Sequence, residues 1–137
     1  MGTRSALAVA LAVAALASGC EGSAGDEPRA YLLAPTRQCL LAEESVRVDT
    51  KNVDFVATTA LGGAMRVRVS ATNFVVMAFG DNEAEAQRIE QAYREFAGRS
   101  IAIDDVLERR KNLVLVWNAP PAGEEDDAVL GCLKGSG

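Results

Sequence analysis

Histidine is absent from all 137 residues, which removes the side chain most used for proton transfer near neutral pH and the commonest nitrogen metal ligand. Ser-His-Asp and Cys-His nucleophile systems, histidine zinc sites and histidine-ligated haem are excluded with it. Positive charge is also in deficit. Lys and Arg total 14 against 19 Asp and Glu, a net charge of -5, so no surplus field exists to displace counterions from a polyphosphate, and nucleic acid is excluded as a partner. No apolar run reaches the roughly 20 residues that a bilayer core requires. What remains, 49% hydrophobic and 24% charged, is enough for one modest folded domain and too little for two large ones.

The N-terminus carries the most specific pattern. Arg4 precedes Ala6 to Ala17, 12 residues of Ala, Leu and Val without a polar side chain. A basic start, a short apolar stretch and small residues after it have the layout of a secretory signal peptide, placed here at 1-19. The stretch ends Leu16-Ala17-Ser18-Gly19-Cys20, which resembles the lipobox of bacterial lipoproteins. The resemblance covers the leader alone. It implies diacylglyceryl modification of Cys20, cleavage before it, and a membrane-anchored protein on the extracytoplasmic face. Ala17 stands where that motif usually has a branched aliphatic residue, and Ala15-Leu16-Ala17 also fits ordinary cleavage after Ala17, which would release a soluble secreted protein. Residues 20-28 are small and polar without periodicity and read as a tether. An acidic body is repelled by anionic lipid, so the acyl chains must do the anchoring.

With Cys20 assigned to lipid, Cys39 and Cys132 remain, an even pair in an oxidising compartment, and a disulfide between them is the expected outcome. It would close 93 residues, a constraint worth roughly 4-5 kcal/mol in the chain-entropy model. The alternative makes Cys39 a reactive thiol, with Pro35-Thr36-Arg37-Gln38-Cys39 placing it in the first turn of a helix, where the dipole lowers a thiol pKa. Against it stand the lack of a CxxC motif and of any histidine base.

The domain, 29-134, reads as α+β. Tyr31 to Leu33 is a short strand leading into the helix of Cys39. Met65-Arg66-Val67-Arg68-Val69 alternates with period two, Phe74 to Phe79 is continuously apolar, and Ala71-Thr72-Asn73 turns the chain between them: an antiparallel hairpin whose second strand is covered on both faces. Asn82 and Glu85 have capping-box spacing, and Ile89, Ala92, Tyr93, Phe96 and Ala97 recur at helical spacing up to Gly98. That aromatic stripe is expected to be core. Ile101 to Ile103 is expected to be extended, Asp104 to cap a helical turn running to Arg110, Lys111-Asn112 to turn, and Leu113 to Trp117 to form another buried strand. The acids Glu124 to Asp127 precede a terminal helix over Ala128 to Leu133, and 135-137 is expected to be a disordered tail. Between Val46 and Gly63, Val46 to Val48 looks extended and Asp54 to Leu61 could be a short helix. The element order resembles the ferredoxin-like βαββαβ arrangement, which implies a small antiparallel sheet with helices on one face.

Catalytic, cofactor and metal constellations do not emerge. The acidic quartet lacks the alternate acids, central glycine and terminal glutamate of an EF-hand. Asp104-Asp105 is expected to cap, and Gly62-Gly63 lacks the register of a phosphate loop. Arg66 and Arg68, on one strand face, are the candidate anion-binding pair, joined by Arg109, Arg110 and Lys111 if those elements adjoin. The competing expectation is that these cations pair with the chain's own surplus acids. The expected function is that of a non-enzymatic binding or interaction module of the cell envelope, taking an envelope protein or a small anionic ligand.

Overall fold

A computed structural model describes residues 27-97 and 102-136. The leader, Cys20, most of the tether, Gly98 and Ile101 lie outside the described residues. Three helices and two antiparallel sheets make up the domain. In chain order they are β1 (Ala30–Tyr31), α1 (Leu33–Leu41), β2 (Arg47–Asp49), β3 (Ala64–Arg68), β4 (Phe74–Phe79), α2 (Glu83–Ala97), β5 (Leu107–Arg110), β6 (Leu113–Trp117), α3 (Gly123–Leu130) and β7 (Gly135–Ser136), with 3-10 turns at Ala57–Thr59 and Ile103–Asp105. The main sheet runs β2-β3-β4-β6-β5, and β1 pairs with β7 apart from it. No helix among the described residues is long and apolar enough to cross a membrane.

The central strands dictate the architecture. In β4, Val75, Met77 and Phe79 enter one core, while Val76 and Ala78 enter a second on the opposite face. In β6, Leu113, Leu115 and Trp117 divide from Val114 in the same way. Strands without a polar face must be covered twice. Leu40 of α1, Val129 of α3 and Cys132 close the first face; Ala86, Ile89 and Tyr93 of α2, with Val56 and Ala57, close the second. The α+β class is thus as expected, but helices on both faces replace the expected one-faced, ferredoxin-like arrangement. The strand at Tyr31 also stands outside the main sheet, paired with the tail that was expected to be disordered.

Several local expectations hold. The hairpin pairs Met65 with Met77 and Val67 with Val75, and Met65 and Val67 share a face opposite both arginines. Gly63, at φ 88°, supplies the left-handed conformation required just before β3. At the start of α2, the Glu85 N–H donates to Asn82 Oδ1 at 2.9 Å. The Glu85 carboxylate accepts from the N–H groups of Asp81 and Leu61 instead of closing the box on Asn82. It thereby ties the helix to the turn before β3. Burial works against its charge, but these N–H donors and Arg88 outweigh burial and hold the carboxyl below the ordinary glutamate range.

Others are corrected. Leu107 to Arg110 is the edge strand β5, not part of a helical turn, because Leu107 packs into the second core and the backbone pairs with β6. The terminal helix starts at Gly123 and contains the acids, leaving Cys132 in the turn beyond it. Cys39 is seventh of nine residues in α1, far from the N-terminal turn that the reactive-thiol reading needs, and its sulfur is bonded to Cys132 with Cα atoms 5.4 Å apart.

Next to this bridge, the chain ends are fastened by hydrogen bonds. Asn112 is buried and donates to the carbonyls of Tyr31 (2.9 Å) and Gly80 (2.7 Å), while its Oδ1 accepts the Tyr31 N–H at 2.7 Å. The Leu32 N–H donates to Lys134 O, and the Thr36 hydroxyl bonds both the carbonyl and the N–H of Lys134. Lys111 donates to Pro28 O and pairs with Glu27 at 3.4 Å.

Two outcomes follow. Replacing both cysteines (Cys39→Ser with Cys132→Ser) is expected to cost about 3-5 kcal/mol, measured as a lower urea midpoint. Glu85, whose pKa is lowered on folding, stabilises fully above the ordinary glutamate range, and this contribution is lost as pH falls through the folded-state value. Urea midpoints recorded across acidic pH should fall more steeply for the wild type than for Glu85→Gln.

Candidate functional site

Helix α2 packs against β4, β6 and β5 and stops short of the β2–β3 side of the sheet. The uncovered ground between the last turn of α2, the segment 52-56 and the exposed sheet face is a cavity of about 790 Å³, within the roughly 300-1,000 Å³ usual for small-molecule sites. Its wall is mainly apolar: Phe74, Val76 and Val116 on the floor, Phe55 and Phe96 at the rim, with Trp117 at one end. Phe55 and Phe96 are each 73% exposed, with ring centroids 6.3 Å apart. Phe96 is therefore not the core residue its helical spacing suggested, although Ile89 and Tyr93 of the same stripe are buried.

The polar groups in this wall are few. The Tyr93 hydroxyl donates to Asp54 at 2.8-2.9 Å, and Asp54 also accepts the Ala57 N–H. Burial, then the neighbouring Asp54 carboxylate, pushes the Tyr93 pKa up, so the phenol stays protonated. Arg66 lies over the Phe74 ring, its guanidinium carbon 3.7 Å from the centroid, a cation–π contact that orients the charge at the cavity edge.

A second, polar cavity of about 430 Å³ adjoins the first, and the two share Asn52 and Arg66. It is lined by Arg47 and Asp49 of β2 and by Arg66 and Arg68 of β3. Register explains the grouping. Arg47 is paired with Arg68 and Asp49 with Arg66 across antiparallel strands, and directly opposed residues project from the same face. Asp49 accepts from Asn52 Nδ2 and from the N–H groups of Lys51 and Asn52, which hold its carboxyl below the ordinary range. Its oxygens are thus engaged by the turn.

The charge pattern separates these arginines from the cations on α2 and around β5. Arg88, Arg94, Arg109 and Arg110 each lie within 4 Å of a carboxylate, as does Lys111. Among the described residues Arg47, Arg66 and Arg68 do not; Arg29, Arg37, Lys51 and Lys134 also lack such a partner, but only the three strand arginines share a cavity. Arg47 and Arg68 donate only to backbone carbonyls. The expected pairing with surplus acids therefore holds for the cations near β5 and fails for those on β2 and β3. The wider cluster also fails to assemble, because β4 and β6 separate β3 from β5. Asp104 binds Arg94 at 2.6 Å instead of capping, and Glu125 of the acidic quartet accepts from Asn73. No cluster of potential metal ligands occurs among the described residues.

Sequence reasoning singled out Arg66 and Arg68 but missed Arg47, Phe55 and the cavity. Arg47-Val48-Asp49 alternates as Arg66-Val67-Arg68 does, and pairing those two patterns would have brought Arg47 to the site. Searches of family models, curated proteins and solved structures found no match to this chain.

Like charges directly opposed across two strands are destabilising. Arg68→Thr is thus expected to raise the melting temperature at low ionic strength by roughly 1-5 °C, the gain shrinking in high salt as screening removes the repulsion. Thermal denaturation at the two salt concentrations checks this.

Proposed function

We propose that this chain is an exported lipoprotein, anchored by an acylated Cys20, whose domain is a non-enzymatic binding module of the cell envelope. The observation that carries the binding assignment is a set of three arginines that have no carboxylate partner among the described residues and stand beside an apolar cavity. A protein with net charge -5 had acids to spare for them. Leaving cations unpaired and opposed costs stability, and such a cost is characteristic of surfaces kept for a ligand. The cavity wall supplies bulk contact and the arginines supply orientation, the usual division of labour in a small-molecule site.

The export half rests on the basic start, the apolar stretch and Leu16-Ala17-Ser18-Gly19-Cys20. Its competitor, cleavage after Ala17, gives an unmodified N-terminus at Ser18. The thiol-dependent alternative loses its premise with the sulfur of Cys39 bonded to Cys132.

Intact-mass measurement of the protein from the membrane fraction is expected to give a chain starting at Cys20 with acyl mass added, and Cys20→Ser to abolish that mass. For the domain, small apolar ligands are expected to bind saturably by isothermal titration calorimetry, and Val76→Phe, which adds bulk to the floor of the cavity, to weaken that binding at least tenfold.

A further inference from the structure

We propose that the ligand is a single-tailed phosphate monoester, its tail in the apolar cavity and its phosphate among Arg47, Arg66 and Arg68. This rests on the binding reading above and specifies its ligand class. Three observations support it. The two cavities share Arg66 and Asn52 as their common wall, so one molecule can enter both. Arg66 is fixed by Phe74 at 3.7 Å, which places a guanidinium at the junction where a tail would meet its head group. The polar cavity holds three guanidiniums against the one carboxylate of Asp49, a surplus of two positive charges.

That surplus matches a phosphate monoester, which carries about -1.5 to -2 near neutral pH, better than a carboxylate. Arginine is also the side chain best shaped to grip phosphate oxygens in pairs. On the tail side, the Asp54 carboxylate is taken up by Tyr93 and by the Ala57 N–H, and the one cation in the lining is Arg66 at the shared wall, so nothing deeper in the cavity competes for the head. The partner is a monomeric amphiphile and not a bilayer surface, because the domain as a whole is acidic and anionic lipid repels it.

The test uses the exported full-length chain carrying Cys20→Ser, so that no acyl group competes. Binding of decyl phosphate, decanoate, decanol and inorganic phosphate, each as monomers, is measured by isothermal titration calorimetry for this chain and for its Arg66→Met and Arg68→Thr variants. Decyl phosphate is expected to bind at least tenfold more tightly than decanol or decanoate, with inorganic phosphate weaker still. Each arginine variant should bring decyl phosphate close to decanol; Arg68→Thr, which lies outside the apolar cavity, should leave decanol binding intact, and an unchanged circular dichroism spectrum shows that each variant is folded. Equal binding of decanol and decyl phosphate, unaffected by the variants, would overturn the phosphate assignment and leave the cavity reading standing. So would equal affinity for decanoate, inorganic phosphate binding as tightly as the ester, or co-sedimentation with anionic vesicles in place of monomer binding. No saturable response to any of the four would sink both readings.

Discussion

The structure depends on the requirement that β4 and β6 be buried on both faces. Neither strand offers a polar side to water, so a single layer of helices could not have shielded them. The chain meets this by sending α1 and α3 to one face and α2, with the turn at Ala57–Thr59, to the other. One face is closed by two helices, with Cys39 of α1 bonded to Cys132 in the turn just beyond α3. The second has one long helix and a short turn, and the part of the sheet they leave uncovered is where the cavity lies. The candidate site is thus a consequence of unequal cover.

Electrostatics follows the same division. On the α2 and β5 side, acids and bases alternate closely enough that Glu90 serves both Arg94 and Arg109. On the β2–β3 side the acid that could have balanced Arg66 is Asp49, and the tight turn through Lys51 and Asn52 engages it first. The local turn and the long-range charge balance compete for one carboxylate, and the turn takes it. Each surface ion pair is worth little on its own. The distribution of pairs still carries information, since three neighbouring cations left unmatched among the described residues of an acidic chain run against its average composition.

Much of this was legible from residue order. Period-two alternation at Met65 to Val69 and the unbroken apolar run at Phe74 to Phe79 identified the hairpin, because strand faces are set by parity alone. The Asn82–Glu85 spacing located the start of α2, and an even count of remaining cysteines identified the bridge. The errors came where tertiary context decides. Leu107 to Arg110 carries good helix formers and became a strand because an edge of the sheet was open beside β6. The strand expected at Tyr31 to Leu33 lies instead at Ala30–Tyr31 and outside the main sheet, since nothing local reveals that its partner is the two-residue segment Gly135–Ser136. Phe96 has the spacing of a core residue, but the helix extends beyond the part of the sheet it packs on. The cavity was invisible for the same reason: its wall draws on residues from 52 to 118, and no short window contains it.

The β1–β7 pairing brings Arg29 and Ser136 into hydrogen-bond contact at 3.1 Å, and Tyr31 and Cys132 there belong to the core opposite the cavity. Anything joined to either extremity, whether a linker, a reporter or a solid support, therefore departs from one corner on the far side of the sheet. A domain suspended from that corner would be held by the side of the sheet away from its cavity, whichever end carried the load.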